Sequence, residues 1–113
     1  KDGTFSMFQL WGRACVRSKI ENGGSLFWSL LTADDFKKTG TTPAALSYVI
    51  RKMKDVFALP PLSVFLWQDP ETKNVRGTLV TTGKMKTASI PEKEYPSFLS
   101  AEEDIAQLLQ RFA

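Results

Sequence analysis

The side chains best suited to chemistry gather in residues 75–90, VRGTLVTTGKMKTASI. Arg76, Lys84 and Lys86 supply cations, and Thr78 and Thr81 supply hydroxyls. Both kinds of group recognise phosphate oxygens. Read as a strand, period-two alternation puts Arg76, Thr78, Val80 and Thr82 on one face, and Val75, Gly77, Leu79 and Thr81 on the other. Gly77 admits a close approach by a ligand or another backbone, and amides around Gly83 can add an anion-binding nest. A second account needs no ligand: an edge strand guarded by charge, with threonine favoured by β-propensity. On residue types alone that second account is preferred. No glycine-rich phosphate loop of the P-loop or dinucleotide type is present.

Other chemistry is limited by what the chain lacks. It has no histidine and one cysteine, Cys15. That excludes a Ser-His-Asp triad, a Cys-His pair, a His-ligated metal and an intrachain disulfide. The carboxylate pairs Asp34/Asp35 and Glu102/Glu103 both sit where helices begin, and capping accounts for them better than metal binding does. Trp11, Trp28 and Trp67 lie in apolar patterns, which suits core packing more than base stacking. The formal charge of +3 permits phosphate or nucleic-acid partners without demanding them. A lone, apolar-flanked cysteine fits a reducing, cytoplasmic setting. No apolar run is long enough for a bilayer, and no membrane association is expected.

The elements that position these groups follow from periodicity. Residues 4–19 read as one helix with Thr4 at its start and an apolar face that spreads to more than one side. Gln9, Arg13 and Arg17 form a basic stripe along it. Gly12 in its middle costs about 1 kcal/mol relative to alanine and marks a close contact. Residues 21–24 turn the chain, and 25–31, SLFWSLL, read as a strand covered on both faces. Thr32 and Asp35 form a capping box for a short helix that Gly40 stops. Thr42-Pro43 opens a stronger amphipathic helix through Leu46, Val49, Ile50, Met53 and Phe57, with Arg51, Lys52 and Lys54 turned to solvent. Residues 62–68 and 75–82 read as a hairpin. Ser100 to Glu103 read as a capping box for the last helix, with Ile105, Leu108, Leu109 and Phe112 on its apolar face. The predicted fold is α/β: a mixed sheet, made of a crossover unit plus an antiparallel hairpin, flanked by helices. The expected organisation is one domain over 1–113, with 1–22 a linker-like helix and 23–113 the α/β body. Without an initiating Met, the expectation is a fragment of a longer chain.

Residues 8–53, FQLWGRACVRSKIENGGSLFWSLLTADDFKKTGTTPAALSYVIRKM, carry a "WGRA" helix, a Gly turn, a strand ending in "LTADDF", then "TG" and a helix. Hairpin strands LSVFLWQ and VRGTLVTT follow. In this order the segments resemble the linker and C-terminal domain of DHH-family phosphoesterases, the exopolyphosphatase-like and oligoribonuclease-like proteins. The similarity runs over residues 4–87. It implies a substrate-binding domain for short oligonucleotides or nucleotide phosphates that is not catalytic alone. It also implies a missing upstream catalytic domain that holds divalent manganese or magnesium, with no cofactor in this fragment. The family's third strand typically reads Ser-Leu-Arg-Ser, whereas Thr78, Leu79, Val80 and Thr81 stand here. Its glycine run ending in His has no counterpart. The family's binding residues therefore transfer only as the hydroxyls of Thr78 and Thr81, while Arg76, Lys84 and Lys86 rest on electrostatics. The alternative function is a protein-interaction domain without a small ligand, using the N-terminal helix against a neighbouring domain or a second copy in a homodimer.

Overall fold

The computed structural model describes residues 3–81 and 93–110. The chain runs through helix α1 (Thr4–Val16), strands β1 (Ser18–Glu21) and β2 (Leu26–Leu31), and helix α2 (Ala33–Thr39). Helix α3 (Leu46–Val56) follows, then strands β3 (Leu62–Gln68) and β4 (Val75–Thr81) and helix α4 (Phe98–Gln110). The sheet order is β1-β2-β3-β4, with β2 and β3 parallel and both outer pairs antiparallel. This is the mixed α/β sheet that the apolar runs predict. Among the described residues no helix is long and apolar enough to cross a membrane.

The two central strands are buried on both faces, which is why they read as continuous apolar runs. Phe27, Leu31 and Phe65 point to one face, where Leu10 and Ala14 of α1, Phe36 of α2 and Val49 and Met53 of α3 complete a core. Leu26, Trp28, Val64 and Leu66 point to the other, packed by Ala101, Ile105 and Leu109 of α4. Burial of so many large side chains, each worth about 1.5–3 kcal/mol, is the main source of stability.

Local signals place the helices. The Thr32 hydroxyl accepts the Asp35 amide, and the Asp35 carboxylate accepts the Thr32 amide at 2.8 Å, so the expected capping box is present. Gly40 closes α2 in the left-handed conformation at φ 69°, which a side chain disfavours. Thr42 accepts the Ala44 amide, and Pro43–Ala45 forms a 3-10 turn that leads into α3.

Three expectations are corrected. The helix predicted over 4–19 stops at Val16, and Ser18–Glu21 becomes a fourth strand at the sheet edge. Its residues after Ser18 are exposed, so they lack the alternation that announces a half-buried strand; backbone pairing to β2 defines it. Gly3, not Thr4, is the residue that precedes α1, and it has no side chain to cap with. The last helix begins at Phe98, a turn fraction earlier than Ser100 implies, because the Ser97 hydroxyl accepts the Ser100 amide at 3.1 Å.

Candidate functional site

The predicted phosphate-binding set divides on the sheet. Register pairs Arg76 with Trp67 and Thr78 with Phe65, so both residues stand on the α1–α3 face near its β4 margin. Thr81 pairs with Leu62 on the α4 face, and Gly77 opposite Leu66 shares that face. Lys84 and Lys86, with Gly83 and Thr82, lie outside the described residues. The structure therefore brings Arg76 and Thr78 together and sets Thr81 apart from them. Period-two geometry contains this split already; only treating the hydroxyls as one set hides it.

Arg76 is half exposed and lies 3.6 Å from Glu94. Glu94 also accepts the Asn74 side-chain amide at 3.3 Å. At the strand start, Val75 and Tyr95 exchange backbone hydrogen bonds of 2.7 and 2.8 Å, which carries Glu94 to the β4 edge. The Arg76 guanidinium is thus lightly held by an exposed carboxylate. An incoming anion can displace such a partner at little cost, because exposed ion pairs contribute about 0–1 kcal/mol. The hairpin turn beside it is ordered by Asp69, whose carboxylate accepts the amides of Glu71 and Thr72. Those amides, aided by nearby Arg76, hold the Asp69 carboxyl below its ordinary value.

One polar atom on the same sheet face escapes sequence reading. Ser63 is fully buried opposite Val80, and among the described residues its Oγ has no hydrogen-bond partner. A serine inside an apolar strand gives no signal of that kind.

A second charged cluster joins α1 to α2. Asp35 is fully buried. Arg13 donates from Nη1 to its Oδ1 at 2.9 Å, and Arg17 Nε lies 2.9 Å from Oδ2. The Thr32 amide and hydroxyl also donate to Oδ2, at 2.8 and 3.0 Å. Burial alone pushes the Asp35 carboxyl up. The Thr32 amide, Arg13, the Thr32 hydroxyl and Arg17 outweigh it and keep the group below its ordinary value. Two of the three residues in the predicted basic stripe are therefore committed to one carboxylate, and α1 is tied to α2 through it. Asp35 has its oxygens occupied and serves neither as a metal ligand nor as a base here. Neighbouring Asp34 is exposed and pairs with Lys38 at 3.2 Å. Among the described residues no group of three His, Cys, Asp or Glu could hold a metal ion.

Two further sequence readings meet the geometry. Burial pushes the Cys15 thiol up, and its Sγ lies 3.9 Å from Met53 Sδ, so it behaves as a packing residue. Lys52 is not merely solvated: its ammonium lies over the rings of Phe8 and Trp11 at 5.9 and 5.7 Å. The signal for this is faint, since it requires knowing that α1 and α3 are neighbours.

No family model matches the chain, and no curated protein matches it either. Among solved structures, the chain is similar to an exopolyphosphatase-related protein from Bacteroides fragilis, with a TM-score of 0.73 at 16% sequence identity. The match covers 95% of this chain and 35% of that one, so the chain spans about a third of the length of its structural neighbour. At this identity the likeness is one of fold.

Proposed function

We infer that the chain is the substrate-binding domain of a DHH-type phosphoesterase, engaging the phosphates of a short oligonucleotide or nucleotide. The observation that carries this reading is the fold likeness to an exopolyphosphatase-related protein over nearly the whole chain. The order of segments that resembles the DHH family also supports it. In this reading hydrolysis belongs to a catalytic domain upstream, where manganese or magnesium would polarise the phosphoryl oxygens and activate water. This domain holds and orients the ligand.

The β4 edge is the proposed contact. Arg76 offers a planar, bidentate donor to phosphate, and Thr78 two positions on offers a hydroxyl on the same face. Glu94 keeps the guanidinium oriented until a phosphate displaces it. Thr81, Lys84 and Lys86 complete the proposed set; Thr81 approaches from the strand's other face, so it would contact a ligand that wraps the edge.

The test is an amide NMR titration of the chain with a short oligonucleotide at low and then moderate salt. Shifts centred on Arg76 and Thr78 that fade as salt rises are expected, because each phosphate contact releases counterions. Arg76→Ala should weaken binding several-fold. Unchanged affinity in that variant, or shifts indifferent to salt, would remove the β4 edge from the proposal.

A further inference from the structure

The solvent face of α1 carries a row of apolar residues that the fold does not use. Phe5 is 71% exposed, Phe8 46% and Val16 85%. At about 100° per residue these three and Gly12 fall within one stripe, directly opposite buried Leu10 and Ala14. Gly12 lies at the centre of the stripe, four residues from both Phe8 and Val16. A Cβ placed there would meet nothing within 4 Å among the described residues, so no contact between them calls for a glycine. A flat spot between exposed apolar knobs is what a second helix needs in order to approach closely. On the α3 side the stripe is continuous with Phe57, which is 45% exposed and stacks on Trp11 at 6.3 Å.

The charges beside the stripe identify the occupant. On one flank Arg13 and Arg17 share the single carboxylate of Asp35, which leaves one positive charge in excess. Their side chains are 37% and 44% exposed, and with Gln9, Gly12 and Val16 they line an open groove of about 490 Å³. On the other flank stands Lys52, held over Phe8 and Trp11. Two copies pairing through this stripe would bring a basic flank near a basic flank.

We propose that the α1 face docks an amphipathic helix of complementary chemistry: a narrow apolar stripe, small where it crosses Gly12, with acidic residues on its flanks. One carboxylate of that helix meets the exposed edges of Arg13 and Arg17, and another meets Lys52. This surface is built from residues of α1 and α3 and uses none of the β4 residues, so it stands or falls separately from the phosphate-binding reading.

The experiment uses the chain with two synthetic helical peptides that share one Leu/Ala stripe, one flanked by Glu and the other by Lys. Binding is followed by amide NMR and by Trp fluorescence. The Glu-flanked peptide should bind at least tenfold tighter than the Lys-flanked one, with shifts at Phe8, Gly12 and Val16 that weaken with salt. Gly12→Leu, which has room inside the fold, should lower the affinity of the Glu-flanked peptide about tenfold, and Lys52→Glu should reverse part of the preference. Equal affinity for the two peptides, binding of neither, or shifts away from α1 would overturn the proposal. Sedimentation that shows a dimer abolished by Gly12→Leu would also overturn it, and would make a second copy the occupant.

Discussion

Asp35 and Arg76 are both charged, both paired and both on the α1–α3 side of the sheet, yet they do opposite things. Asp35 is sealed from water and accepts from two arginines and from both donors of Thr32. Arg76 stands half in solvent, with the exposed Glu94 carboxylate at 3.6 Å and Asp69 nearby. The first arrangement leaves no lone pair free for chemistry and locks α1 onto α2. The second leaves a cation whose partner is replaceable. A buried, saturated charge is a structural clamp, and an exposed, loosely paired one is available to a ligand.

The largest break in this contrast should come from Asp35→Ala. It leaves two arginines beside an emptied buried pocket and should lower stability by about 3 kcal/mol, at the lower end for a buried pair because the arginines are partly hydrated. Chemical denaturation would measure it; a loss below 1 kcal/mol would mean the cluster is not a clamp. Acid offers the same test without mutation. Because the folded carboxyl lies below its unfolded value, the stabilisation is present above about pH 4 and disappears as pH falls through the folded pKa. Asp35→Asn should flatten that part of the acid profile.

Tyr95 supplies the alkaline counterpart. Burial first, then the hydrogen bond to Asp104 at 2.7 Å and that residue's charge, raise its phenol to about 12. Here the folded pKa is raised, so the stabilisation is complete below about pH 10 and is lost as pH climbs through 12. Phenolate absorbance should show one tyrosine ionising late, and Tyr95→Phe should remove that late step at a cost of about 1 kcal/mol, since Asp104 is partly exposed. Ser63→Ala should sharpen the picture from the other side. It deletes a buried hydroxyl with no partner among the described residues, so it should be neutral or stabilising by up to about 1 kcal/mol. The smallest effect belongs to Glu94→Gln, which should change stability by less than about 0.5 kcal/mol. In the proposed function it should also strengthen phosphate binding by freeing Arg76; weaker binding would instead make Glu94 a needed orienting group.

The residues of α1 illustrate how far sequence reading goes. Its apolar spread to more than one side is legible, but which side packs inward is not: Phe5, Phe8 and Val16 group as one apolar face, and the structure leaves them exposed while burying Leu10 and Ala14. Its end is not legible, because Arg17, Ser18 and Lys19 continue a plausible helical pattern while β2 offers a strand edge nearby. The candidate site is legible in part. Alternation alone puts Arg76 with Thr78 and Thr81 on the opposite face, but nothing local to Arg76 shows that Glu94, 18 positions along the chain, will answer its charge.

By itself the sequence determined the apolar strands, the Thr32–Asp35 capping box, the turn at Gly40, and the mixed α/β class. These depend on periodicity and on hydrogen bonds that close within a few residues, so the information is contiguous. Tertiary structure alone decided that Ser18–Glu21 is a strand, that Lys52 covers two rings of α1, and that Arg13 and Arg17 converge on Asp35. Those two arginines lie 22 and 18 residues from their carboxylate. Only the packing of α1 against α2 removes water from between them, and that exclusion turns an ordinary surface stripe into a clamp.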